Sequence, residues 1–348
     1  MKKNRFIKIT LLFSSVIFSP AAFAQDGVAE LAQLGPDATK LANAYLSPIF
    51  KGLGIGLNSG WANTAHSKNL GRFDIRIGVT GALVPGKDKT FDVSALGLSN
   101  RLELADPNKT LSPTVAAGKG VVPTELIVNN NSGDEVDRVT LPKGTNLPLI
   151  PSPQIQATVG LIKGIDVSLR AVPNIKLGNT GTINMIGGGV KVELLPLIAG
   201  KTAGKLLPFD LAVALGYTQF SYEKQVDDKS GLDDNQRIEA KISGVNVQTI
   251  LSKKLLVFTP FIALGYNTSK TTGGLLGTYR VINPTLSTGV APVYTTAKDP
   301  VSLDKKNFSS FRSDIGFQLN LAVIRFYASY SASEYNSFNA GLGLGFGK

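Results

Sequence analysis

The sequence predicts an all-β protein, an antiparallel transmembrane β-barrel of about twelve strands with a short N-terminal helix as plug or cap. Three observations lead there. The first residues have the layout of an export signal. Most of the rest alternates between apolar and polar or small residues over runs of ten or more. The connections between those runs alternate short and long. The composition agrees: 18 % of the 348 residues are charged, against roughly 25 % in an average soluble domain. No cysteine is present, so disulfides, thiolate metal sites and thiol nucleophiles are excluded. A single histidine excludes a two-histidine metal centre, and no metal or other cofactor is expected.

Residues 1–24 read as a signal peptide. Lys2, Lys3, Arg5 and Lys8 precede the apolar Ile9–Phe18, and Ala22-Phe23-Ala24 gives the small-x-small pattern for cleavage between Ala24 and Gln25. The apolar stretch is too short for a hydrocarbon core that needs about 20 residues. Cleavage removes four positive charges and takes the net charge from +11 to +7. That modest excess in an exported chain points to anionic lipid headgroups rather than nucleic acid as the counter-charge. No later segment has 18 uninterrupted apolar residues, which excludes an inner-membrane helical protein.

Residues 25–52 are expected to be helical, as a plug in the lumen or a cap on the barrel mouth. Leu41, Tyr45, Leu46, Ile49 and Phe50 recur at helical spacing, Pro48 is expected to kink the end, and Gly52, Gly54 and Gly56 lead into a first strand. Residues 53–348 then form the barrel. In Phe73–Val79, for example, Ile75 and Ile77 alternate with Asp74, Arg76 and Gly78, and in Gln154–Leu161 apolar residues alternate with Gln154, Gln156, Thr158 and Gly160. Such alternation makes a strand with one face of each kind. Runs of ten fit the 9 to 11 residues of a bilayer-crossing strand better than the 5 or 6 usual in soluble proteins.

The twelve strands read as 53–63, 70–83, 89–99, 153–162, 164–173, 181–195, 208–222, 236–251, 254–269, 307–320, 322–333 and 337–347. Pairing of 275–282 with 290–295 would raise the count to fourteen, and a phase slip near Ser243-Gly244 reads as a bulge. Long outer loops fall at 99–152, 222–235 and 269–306, and short inner turns include 85–89, 162–164, 196–207, 252–254 and 320–321. Short inside and long outside is the bacterial outer-membrane pattern, and an even count closes the sheet. Tyr217, Tyr266, Tyr330 and Phe346 suit interfacial girdles. Lysines gather on the expected inner turns: Lys87, Lys89, Lys163, Lys201, Lys205, Lys253 and Lys254.

The polar phase puts Arg72, Asp74, Arg76, Asp166, Arg170, Lys191, Glu193, Arg237, Glu239, Lys241, Arg312, Asp314 and Arg325 toward the lumen. Paired across strands these charges are structural, since an unpaired buried charge is expensive. An arginine belt of Arg72, Arg76, Arg170, Arg312 and Arg325 would instead select anionic solutes. The acidic loop at Glu223–Asp234 lacks calcium-loop spacing. His66, placed on the first outer loop, has no serine at a recognisable spacing, so no enzyme is expected.

Pro36–Gly54, Leu57-Asn58-Ser59-Gly60-Trp61 and Phe73-Asp74 resemble an uncharacterised, domain-of-unknown-function family of Gram-negative outer-membrane proteins of Bacteroidetes type. The resemblance spans the mature chain, with its specific words in residues 36–92. More distantly, a helix before a barrel looks like the fatty-acid and aromatic-hydrocarbon outer-membrane transporters. There an N-terminal hatch blocks the lumen and apolar cargo leaves sideways. The last strand looks like the aromatic-ended signal read by the barrel-assembly machinery, although Gly347-Lys348 follow Phe346. These readings imply a monomer in the outer membrane, with lipid and an unidentified small molecule as partners. Its expected role is passive transport of small hydrophobic or amphipathic compounds. The rivals are a narrow channel for ionic solutes and a barrel that only displays its loops.

Overall fold

Alternating side chains become a closed sheet when the polar set has a shared interior to fill and the apolar set a shared exterior. The computed structural model describes residues 31–161, 164–198, 207–226, 235–287 and 291–346. Residues 1–30, with the signal peptide and its Ala24–Gln25 cleavage point, lie outside the described residues, as do Lys163, Lys201, Lys205 and most of the acidic loop. Ten strands form the barrel: β1 (Phe73–Leu83), β7 (Leu149–Gly160), β8 (Ile165–Lys176), β9 (Thr182–Glu193), β10 (Asp210–Gln225), β11 (Arg237–Ser252), β12 (Phe258–Leu276), β15 (Val301–Leu321), β16 (Ile324–Ala332) and β17 (Ser337–Phe346). They pair antiparallel in chain order, and β17 closes onto β1 with Phe73 opposite Phe346.

Two of the twelve expected strands are absent from the wall. Residues 53–58 continue helix α1 (Ala38–Asn58), which runs on through Pro48 and the three glycines. Residues 89–99 lie in the first long loop, where β2 (Thr90–Asp92) pairs with β4 (Leu111–Pro113). Losing both keeps the count even but reverses the direction of β1. Lys87 and Lys89 therefore sit at the long-loop end and His66 at the short-turn end, the opposite of the sequence expectation. Strands do pair near 275–298, as β13 (Thr278–Ile282) with β14 (Tyr294–Lys298), but as a separate hairpin outside the barrel, so fourteen does not hold either.

Pairing of β11 with both neighbours runs through Ser243-Gly244 without a shift, so no bulge exists there. What changes is the environment. Even-numbered residues face inward throughout β11: Ala240 and Ile242 are buried in the half near the long loops, and Asn246 and Gln248 in the half near the short turns. Arg237, Glu239 and Lys241 therefore face outward, contrary to the lumen expectation, as a charged ladder with Lys241 Nζ 2.6 Å from Glu239. A strand longer than the bilayer exchanges its polar and apolar faces where it leaves the lipid.

Below that level the barrel is inside-out. Leu169 is 56 % and Phe311 83 % exposed, while Arg170 on the opposite face of β8 is fully buried. Tyr217, Tyr266, Phe311 and Phe338 are exposed on the outward face toward the long loops, and Phe73, Phe209, Phe258 and Phe326 toward the short turns. Two aromatic levels around an apolar band are what a bilayer-spanning barrel requires. Over the long-loop end, β3 (Leu102–Leu104), β5 (Glu125–Asn129) and β6 (Glu135–Thr140) form a small sheet. Their buried Leu126, Val128, Val136 and Val139 share one apolar core with α1.

Candidate functional site

Helix α1 and the extended residues 59–72 form a strap that runs down the lumen. Three glycines set how closely it fits. A Cβ on Gly52 would overlap Ile150, on Gly54 Ser269 and Phe308, and on Gly56 Ser152. This requirement explains why the helix keeps residues of poor helix propensity. Of the expected plug residues, Leu41, Tyr45 and Phe50 are buried in the core shared with the cap, and Leu46 and Ile49 pack at its margin. The Tyr45 hydroxyl donates to Lys143 O at 2.9 Å, and burial pushes its pKa up.

At the mouth, Lys51 bridges Asp88 at 2.8 Å and Glu334 at 3.1 Å, and Tyr335 donates to Asp88 at 2.5 Å. Burial disfavours charge on both Lys51 and Asp88, but their mutual pairing prevails. The ammonium is held above its ordinary value and the carboxyl below.

Helix α1 ends on carbonyls that need donors, and the inward arginines supply them. Arg170 Nη1 donates to Leu57 O at 2.8 Å, its Nη2 to Ser59 O at 2.6 Å and its Nε to Gln156 at 2.9 Å. Arg76 donates to Trp61 O at 3.1 Å and Arg312 to the Ser59 hydroxyl at 2.9 Å. The Trp61 ring lies 3.8 Å under the Arg170 guanidinium and against Gly189 and Gly216, where a Cβ would overlap the indole.

The other inward charges pair. Asp74 meets Lys68 at 2.9 Å and Arg325 at 2.6 Å, Asp166 meets Lys191 at 3.0 Å, and Arg312 meets Asp314 at 2.8 Å. Arg72 stands half-buried just before β1. Arg76, Arg170 and Arg312 of the expected belt thus clamp the strap, while Arg325 pairs with Asp74 of the wall.

Where the strap leaves the lumen, His66 Nδ1 lies 3.5 Å from Glu193 and 3.7 Å from Asp210. These three side chains offer ligand atoms within 4.8 Å of one another.

Among the described residues the wall is loosest between β7 and β8. β7 and β8 pair only from Gln156 with Arg170 down to Gly160 with Asp166. Above that, β7 stays paired to β1 up to Leu149, and β8 to β9 up to Lys176, with a register shift after Val172. Pro151, Pro153 and Pro173 flank the gap, and a proline has no N–H to give a ladder. Behind it Leu53, Pro153, Val172, Ile183, Met185 and Phe220 line a cavity of about 20 Å³. Sequence reasoning missed Trp61, the glycines that seat it and these prolines. The available signals were the lone tryptophan, the Gly187-Gly188-Gly189 run within a strand, and three prolines in two strand segments.

The profile of the family of unknown function DUF6588 matches residues 1–346, and the chain belongs to that family. No curated protein matches it. Among solved structures it is similar to Ail, the attachment invasion locus protein of Yersinia pestis, at 9 % identity and a TM-score of 0.28, over 80 % of this chain and 100 % of that one. It is similar to the outer membrane protease OmpT of Escherichia coli at 9 % identity and 0.32, over 83 % and 100 %. The translocator domain of the autotransporter NalP of Neisseria meningitidis matches at 10 % identity and 0.28, over 91 % and 99 %.

Proposed function

We propose that this member of the family serves in the outer membrane as a barrel for passive transport of small hydrophobic or amphipathic compounds, passing them through its wall and not along its axis. The observation that carries this reading is the β7–β8 seam, which opens the upper wall onto an apolar interior. The inside-out surface and its aromatic levels support the membrane placement, with lipid as the surrounding partner. The export-signal layout of residues 1–24 and Phe346 near the end of the last strand support insertion by the barrel-assembly machinery.

An axial route is disfavoured because the strap fills the lumen and its three arginines are engaged. That also removes support for an ion-selective eyelet. The protein acts without chemistry in this reading, the His66 imidazole being held by two carboxylates.

The absence of cysteine makes the test clean. Ile155→Cys with Ala171→Cys places thiols at the next positions in register above the last paired residues. Oxidation is expected to cut uptake of a small apolar fluorophore by cells at least several-fold, with recovery on reduction. Uptake unchanged by a verified cross-link would sink lateral transport. The folded cap over the barrel mouth would then favour a display scaffold.

A further inference from the structure

We infer that the strap is an eleventh crossing of the membrane, so that the described chain starts on the long-loop face, at Leu31, and ends on the opposite face, at Phe346. This rests on the membrane-barrel reading but not on transport.

The path can be followed contact by contact. The described chain begins inside the cap, where Leu31 and Ala32 are buried and the turn Ala32–Asp37 packs on β13. The Asp37 carboxylate accepts from the Ser99 hydroxyl at 2.6 Å, and Thr39 accepts from Ser302 N at 3.1 Å. Both partners belong to the long-loop end. Lys51 crosses the rim at Asp88 and Glu334.

Halfway down, Gly56 O accepts from Gln154 at 2.6 Å and Leu57 O from Arg170 at 2.8 Å. Lower still, Ala65 N donates to Ser252 at 2.9 Å, Ser67 N to Glu193 at 2.8 Å and Lys68 N to Asp166 at 2.9 Å. Gly71 N finally reaches Gly160 O at the short-turn rim. The first two partners lie partway down the wall, and the last four lie at or next to the short-turn ends of their strands.

Ten wall strands alone would bring both ends of a chain to one face, because every hairpin returns. The strap adds one passage, and β17 still ends beside Phe73 at the short-turn rim. The barrel is therefore closed around a threaded segment tied at both ends, to the cap above and to β1 below. A hatch that withdraws to the inner side would have to drag the cap core through the lumen.

Three single-cysteine variants test this in whole cells with a membrane-impermeant maleimide: Asp26→Cys upstream of the strap, Ser132→Cys in the exposed turn between β5 and β6, and Lys254→Cys in the turn between β11 and β12. The expected result is labelling of positions 26 and 132 in intact cells, and of 254 only after permeabilisation. Position 26 behaving like 254 would overturn the threaded path while leaving the barrel in place. Positions 132 and 254 labelling alike would overturn the membrane-barrel reading and this inference with it.

Discussion

Arg170 is where burial and charge are most at odds, since its side chain is wholly enclosed and faces no carboxylate among its hydrogen-bond partners. Its stabilisation comes from geometry: two carbonyls of the strap, one glutamine oxygen and the Trp61 ring. Arg170→Met removes the fork, leaving Ser59 O without that donor and Leu57 O with only the Thr218 hydroxyl at 3.2 Å, and a buried orphan costs about 1–3 kcal/mol. We expect a loss of about 3 kcal/mol in urea unfolding in detergent micelles, and Arg170→Lys is expected to restore little, because an ammonium cannot span both carbonyls.

At the scale of elements, the strap shows why propensity alone misplaced the start of the barrel. Gly52, Gly54 and Gly56 read as a break from helix into strand. The lumen overrides that local preference, because only a side-chain-free face passes Ile150, Ser269 and Ser152. Gly56→Leu is accordingly expected to prevent α1 from seating. Limited proteolysis should then cut within 38–72, while the barrel keeps its far-UV circular dichroism.

The wall strands from β7 to β17 were legible because each reports its own two environments at period two. β11 was legible in extent but misread in phase, since charge on the outward face above the bilayer looks like a slipped register when every polar residue is assumed to face a watery lumen. The seam was not legible at all. It depends on which strands become neighbours, and no single segment carries that information. The clamp was half legible: the sequence marks the arginines as inward, but the carbonyls they hold belong to a segment read as strand.

For the whole molecule, the consequence of a threaded strap is electrical. An open barrel of ten strands leaves little room beyond its own side chains, as eight strands already fill their interior. Here the remaining space holds α1, Trp61 and the paired charges around Asp74 and Asp166. A cavity in the lower lumen, lined by Trp61, Lys68, Asp74 and Arg76 among others, has a volume of about 20 Å³, room for about one water.

The protein lacking residues 1–24 is therefore expected to be silent in a planar bilayer over a wide range of voltages. Deleting residues 25–51 removes the upper strap but leaves 52–72 on their arginine clamps, so that variant is expected to flicker without a stable open level. Deleting 31–64 removes Trp61 and every carbonyl that Arg76 and Arg170 hold, and should give discrete steps favouring anions, since those guanidiniums then face water. Steps in the intact protein would refute the seal. Silence in the longer deletion, with the barrel shown to be folded, would mean that the wall collapses inward once its filling is gone.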